Sequence, residues 1–164
     1  MKFHALAATS LFVITACASS ASAPDTAEYQ RVASSVSSAA TTHASLTASM
    51  TDVAACTAER DRYAAQMRPL LDRMQAMSGD MDDCAAAMGR MGSGSMRATC
   101  SSMRDEMDRH MSAACASPTM SGDVDEANVH AGRMTTWANG EATTAGDMRR
   151  MMGGGMMGGG SCHM

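Results

Sequence analysis

The sequence predicts an all-α protein, an antiparallel bundle of about four helices with a Met/Ala core. Three observations lead there. Beyond the first sixteen residues there is no Phe or Ile, Leu stands only at Leu46, Leu70 and Leu71, and Val at five positions. A pleated sheet needs β-branched and aromatic residues on its packed face, so β architectures and nucleotide-binding α/β folds are disfavoured. Of the 20 Met residues, 19 lie from Met50 onward, in a background rich in Ala, and both residues form helices readily. From Val53 on, apolar residues recur at helical intervals. So little Leu, Ile, Val and Phe would otherwise signal disorder, and the spacing is what argues for a fold.

Residues 1–16 read as an export signal, with Lys2 as the positive start and Ala5 to Ala16 as the apolar stretch. The stretch is shorter than the roughly 20 residues that span a bilayer. Two cleavage sites compete. Ala21-Ser22-Ala23 has the small-x-small form but is followed by Pro24. Ile14-Thr15-Ala16-Cys17 resembles the lipobox of bacterial lipoproteins. That resemblance implies a cut before Cys17, lipidation of Cys17, and attachment to a membrane through the lipid. Ala18, rather than Asp, implies the outer membrane of a diderm envelope, facing the periplasm. Residues 17–24 are then the lipidated Cys and a flexible tether.

Asp25 or Thr26 is placed to cap a first helix running to about Met50, with Glu28 in its first turn. Val32, Val36, Ala39, His43 and Leu46 share one rough face of it. Thr51 is the expected cap of a second helix. There Val53, Arg60, Met67, Met74, Met81 and Met88 recur every seven residues, as do Cys56, Tyr63, Leu70, Met77, Cys84 and Met91. This is an a/d heptad pattern broken only by Arg60. Pro69 predicts a kink or a fresh start near Arg68. Gly89, Gly92 and Gly94 end the helix.

A third helix is expected from about Ser95 to Ala116, with Met96, Cys100, Met103, Met107, His110, Met111 and Ala114 on one face. Ser117-Pro118 stops it. A fourth begins near Ser121 or Asp123 and is weakened by Gly132, Gly140 and Gly146. The bundle domain spans 25–152. Residues 153–164 form a Met/Gly-rich near-repeat with no face to bury, and disorder is expected there.

Charge and motifs narrow the function. The chain carries a formal net charge of −4, and acidic and basic residues alternate without a basic stripe, so nucleic acid is not an expected partner. No Gly-rich phosphate loop follows a strand, no Ser sits in a Gly-x-Ser-x-Gly turn, and no Glu-x-x-His occurs, so an enzyme is not expected. The nearest pattern is Asp-Glu-x-x-x-His, found at Asp105-Glu106 with His110 and at Asp125-Glu126 with His130. Its i, i+4 spacing leaves a two-helix metal site open, but it equally suits a charge pair within each helix.

Met fills cores, yet Leu specifies them better, and the Met excess continues into a tail with nothing to pack against. Thioethers, thiolates and imidazoles bind Cu(I), and the sulfur donors favour it, or Ag(I), over hard cations. Met103, Met107, His110 and Met111 share one helical face, with Cys100 a turn earlier. His130, Met134 and Trp137 form a second set, similar in residue type to a periplasmic copper chaperone family that is itself a β-barrel. The third set is Met151, Met152, Met156, Met157, Cys162, His163 and Met164, which resembles the Met-motif segments of periplasmic copper proteins. The expectation is an envelope-anchored lipoprotein that binds or buffers Cu(I) or Ag(I). The alternatives are a structural lipoprotein whose Met residues only pack, or a Met-rich oxidant scavenger.

Cys56, Cys84, Cys100 and Cys115 form an even set in an exported domain, which predicts two disulfides. Cys84–Cys100 and Cys56–Cys115 are the favoured pairs, the second if the long helix folds back at Pro69 or Gly79. Cys162 is left over.

Overall fold

The computed structural model describes residues 24–87, 89 and 95–153. Four helices account for nearly all of them, and no strand occurs among the described residues: α1 (Thr26–Ala48), α2 (Val53–Ala87), α3 (Met96–Ala113) and α4 (Met120–Gly153). The all-α bundle is therefore observed. Its run is up-down-up-down. Tyr29 near the start of α1 meets Glu141 late in α4, while Ala44 near the end of α1 shares a groove with Ala131 early in α4.

The helix starts follow from side-chain acceptors for free backbone N–H groups. Asp25 accepts from the Glu28 amide at 2.8 Å. Asp52, not Thr51, does so for α2, accepting from the Ala55 amide at 2.8 Å. Ser95 accepts from the Ala98 amide, and Asp82 reaches across from α2 to accept from the Met96 amide at 2.7 Å. The start of α3 is thus fastened to α2 by a carboxylate at its positive end.

The buried stripe of α2 runs through Cys56, Glu59, Tyr63, Met67, Leu71, Met74, Ser78, Met81 and Cys84. Met67, Met74 and Met81 keep the heptad spacing, as do Cys56, Tyr63 and Cys84, while burial shifts by one residue from Leu70 to Leu71 and from Met77 to Ser78. Val53, the first of the heptad set, is 53% exposed. Met88, Met91, Gly92 and Gly94 lie outside the described residues. Pro69 does not restart the helix, because α2 is continuous from Val53 to Ala87 with Pro69 inside it. The proline is exposed. Its missing donor therefore falls where water reaches the carbonyl it leaves unpaired.

Ala and Met divide the packing. Ala33, Ala40 and Ala44 on α1 and Ala131, Ala138 and Ala145 on α4 are buried, and α1 packs most heavily against α4. Small side chains let two backbones approach closely. Met67, Met74, Met81, Met96, Met103, Met107, Met134 and Met148 fill the remaining space, each at most 3% exposed. Trp137 is only partly buried, at the edge of this core.

Cys56 and Cys115 are bonded, with a Cα–Cα distance of 5.8 Å. No fold-back of α2 is needed. The chain leaves α3 in an extended conformation at Ala114, and Cys115 adopts φ 61°, which carries it to the start of α2. The other expected pair is corrected. Cys100 is a buried free thiol, and Cys84 is disulfide-bonded but not to Cys100. Cys17 and Cys162 lie outside the described residues.

Two stability measurements follow. Replacing Pro69 with Ala restores an amide donor in an exposed helix interior, and should raise the unfolding free energy by up to about 3 kcal/mol in a denaturant titration. Changing both Cys56 and Cys115 to Ser opens a link across 59 residues, and should lower it by about 4 kcal/mol.

Candidate functional site

At the end of the bundle closed by Cys56–Cys115, the Met/Ala core gives way to polar side chains from all four helices. They are His43 on α1, Glu59 and Tyr63 on α2, Glu106 and His110 on α3, and Glu126 and His130 on α4. The three imidazoles are at most 2% exposed. Helical spacing places them, since Glu and its partner four residues on face the interior together three times, as Glu59/Tyr63, Glu106/His110 and Glu126/His130.

The contacts cross between helices. His43 Nδ1 lies 3.1 Å from Glu59 Oε1, His110 Nδ1 3.2 Å from Glu126 Oε1, and His130 Nδ1 3.2 Å from Glu106 Oε1. The i, i+4 pairs within α3 and within α4 are therefore not the ones formed. Antiparallel packing brings Glu106 level with His130 and Glu126 level with His110, so each Glu serves the opposite helix. Tyr63 OH lies 2.9 Å from His130 Nε2. The Nε2 atoms of His43 and His110 face each other at 3.0 Å. Tyr63 stacks on His43 at 4.2 Å between ring centroids, and His130 on His110 at 4.0 Å.

Arginines rim the cluster and fix its protons. Arg62 binds Glu59 through both of its oxygens, with Oε1 accepting at 2.7 Å. Arg109 and Arg133 bind Glu106, and Arg109 Nη1 also reaches Glu126 Oε1 at 3.1 Å. In each case the oxygen beside an imidazole Nδ1 also accepts from a guanidinium. Guanidinium has no acceptor and never loses its proton, so these are accepting oxygens and each Nδ1 is the donor. His130 Nε2 then accepts from the Tyr63 hydroxyl. The remaining two Nε2 atoms, on His43 and His110, are both lone pairs when the rings are neutral.

The electrostatics match. Burial lowers His110 to about 4, helped by neighbouring His43 and Arg109, and lowers His130 to about 4. Burial lowers His43 as well, against the pull of Glu59. For Glu106 burial pushes up, but hydrogen bonds from Arg109, His130 and Arg133 outweigh it and hold the carboxyl at about 2. Burial raises Glu126, whose Oε2 is buried without a partner.

The other residues singled out in the sequence are placed differently. Met103, Met107 and Met134 are packed in the core, and Met111 and Met152 lie half-buried against it. His130 is bound by Glu106 and Tyr63, and His110 by Glu126 with its Nε2 facing His43, so neither converges with the Met residues beside it in sequence. Met151 is 45% exposed. Met156, Met157, Cys162, His163 and Met164 lie outside the described residues. Among the described residues, no group of three or more His, Cys, Asp or Glu is arranged to hold a metal ion. His43, Glu59 and Tyr63 were not among the expected site residues. The signal that marks two of them is the third copy of the i, i+4 spacing, with Tyr in place of His.

A smaller polar group lies nearer the other end. Tyr29 donates to Glu141 Oε2 at 2.6 Å, and Cys100 Sγ is 3.4 Å from the same hydroxyl. Burial raises the Cys100 thiol to about 11 and also raises Glu141. Neither Tyr29 nor Glu141 has a buried oxygen without a partner. None of the described helices is long and apolar enough to cross a membrane. No protein-family model, curated protein or solved structure matches this chain.

The site sets an acid limit on stability. His110 and His130 protonate near 6.5 when unfolded and near 4 when folded, so the unfolded chain takes up their protons first. Their contribution is intact above pH 6.5 and falls as pH drops toward 4, by on the order of 1.4 kcal/mol per pH unit for each group. Glu106, ionised down to about 2, adds a second loss between about 4.5 and 2. Chemical denaturation at a series of pH values should show both steps, and His110→Phe should remove part of the first.

Proposed function

We propose that this protein is an envelope-anchored lipoprotein that binds or buffers a soft metal ion, Cu(I) or Ag(I), and does not act as an enzyme. One observation carries the reading: three buried imidazoles on three helices each have Nδ1 donated to a carboxylate. Metal-ligating His side chains are ordinarily held this way, because the carboxylate fixes the tautomer and makes the other nitrogen a better donor. Stability alone gives little reason for the arrangement, since well-packed apolar residues in place of a buried ionic group are often neutral or stabilising. Attachment through Cys17 and residence at the outer membrane rest on the lipobox and Ala18.

The Met residues enter this reading in two ways. Those in the bundle are core, which favours the structural alternative for them. The tail donors Met156, Met157, Cys162, His163 and Met164, with Met151 at the helix end, remain the candidates for a second and looser set.

Cu(I) titration of the chain carrying Cys17→Ser, against a competing chelator, tests the proposal. Uptake should persist when residues 154–164 are removed and when Met107 and Met111 become Leu, with the tail deletion lowering the number of ions bound. Absence of uptake in the intact chain leaves the structural lipoprotein. If peroxide then oxidises Met151 and the tail reversibly, the scavenger stands instead. Palmitate labelling lost on Cys17→Ser checks the anchor.

A further inference from the structure

We infer that the ion sits between His43 and His110 as a two-coordinate, monovalent centre, and that Tyr63 confines the site to that ion class by occupying the third imidazole. The inference rests on the soft-metal reading above and assigns its ligands and its selectivity.

The argument is one of donors and acceptors. Arg62 on Glu59 and Arg109 on Glu126 make the carboxylate oxygens acceptors, so His43 and His110 both donate through Nδ1. Both Nε2 lone pairs then point into one gap of 3.0 Å, in a region where each ring is at most 2% exposed. Two facing lone pairs with no donor between them are unfavourable, and a buried polar atom left unpaired costs on the order of 1–3 kcal/mol. A cation in the gap resolves this. A metal ion that accepts two neutral nitrogen donors is such a cation.

The surroundings decide which metal. Zn(II) takes four ligands. Here the nearest carboxylates are turned outward on arginines, so a dication would be buried with no anionic ligand, which is costly. Cu(I) and Ag(I) carry one charge, accept two ligands and bind imidazole. With metal–nitrogen bonds of about 2 Å, a linear ion needs the nitrogens about 4 Å apart. The two rings must therefore part by about 1 Å, or less if the ion is bent.

A third imidazole stands close by. His130 stacks on His110 at 4.0 Å, but its Nε2 accepts from Tyr63 OH at 2.9 Å. Tyr63 is itself fully buried and stacked on His43, so the hydroxyl is held where it is. The tyrosine thereby keeps a potential three-imidazole centre at two.

The test uses the chain carrying Cys17→Ser, with silver nitrate and zinc sulfate as probes in chloride-free buffer. Long-range proton–nitrogen spectra of the imidazoles are followed. One equivalent of Ag(I) should shift Nε2 of His43 and His110 and leave the Nε2 of His130 bound to Tyr63. Zn(II) should leave all three unchanged. Tyr63→Phe, which keeps the stacked ring, should bring His130 into the centre and raise Zn(II) affinity at least tenfold. Ag(I) uptake that leaves both His43 and His110 unmoved overturns this assignment while soft-metal binding stands. No Ag(I) uptake removes both. Zn(II) binding equal in the Tyr63→Phe variant and its parent overturns the selectivity role. Because the spectra are read on the chain with its histidines intact, the assignment does not depend on a His43 variant folding.

Discussion

The polar end of this bundle depends on arginines that keep the carboxyl oxygen beside each imidazole an acceptor. Once Glu59, Glu106 and Glu126 accept from Arg62, Arg109 and Arg133, the tautomer of every imidazole beside them is set. From that one constraint come the donor role of each Nδ1, the hydrogen bond from Tyr63 to His130, and the pair of opposed lone pairs on His43 and His110. The arginine heads reach solvent while Glu59 and Glu106 do not, so the charges are balanced at the rim and the interior is left with directional, neutral rings. A partner removed from such a set leaves a charge buried, which costs about 3–5 kcal/mol.

The same network supplies what a Met/Ala core lacks. Met adapts to many shapes and Ala to many registers, so neither fixes how far one helix slides along another. The crossed pairs Glu106–His130 and Glu126–His110 do. Sliding α4 by one turn along α3 would break both at once and strand two imidazoles and two carboxylates inside. His43 and Glu59 impose the same condition on α1 and α2. The Cys56–Cys115 bond lies at this end too, linking the start of α2 to the exit from α3 a turn or so from the rings.

Much of the fold was legible because it rests on local signals. The Asp25 cap and a start of α3 near Ser95 are chemistry of a few adjacent residues. By contrast, α3 ends at Ala113, short of the expected Ala116 and Ser117-Pro118 stop, because Ala114 turns extended and Cys115 takes φ 61° to reach Cys56. The breaks in legibility are equally physical. Pro69 was expected to interrupt α2, yet an exposed position lets water take up the unpaired carbonyl, and packing of Met67 and Leu71 on either side carries the helix through. Cys84–Cys100 was inferred from the heights of two helices about a turn. The side of each helix was not part of that inference, and Cys100 faces Tyr29 on α1. His110 and His130 were found by type and spacing. Their partners were not, because which Glu meets which His depends on how two helices are aligned, and no local pattern holds that information. His43 has Ala39, not Glu, four residues before it, so the i, i+4 spacing does not mark it.

Composition pointed to sulfur, whereas the geometry points to nitrogen, and the difference has a cause. A methionine side chain has three flexible torsions and one weak acceptor, so a buried Met settles wherever packing is best. An imidazole has two opposite nitrogens. Fixing one with a carboxylate aims the other, and only an aimed donor can be held ready for an ion before the ion arrives. The eight Met side chains at most 3% exposed in the core are consistent with the first behaviour, and the three carboxylate-backed rings with the second. The soft-metal proposal for this chain thus depends far less on how many Met residues it carries than on whether two neutral nitrogens 3.0 Å apart take a metal ion between them.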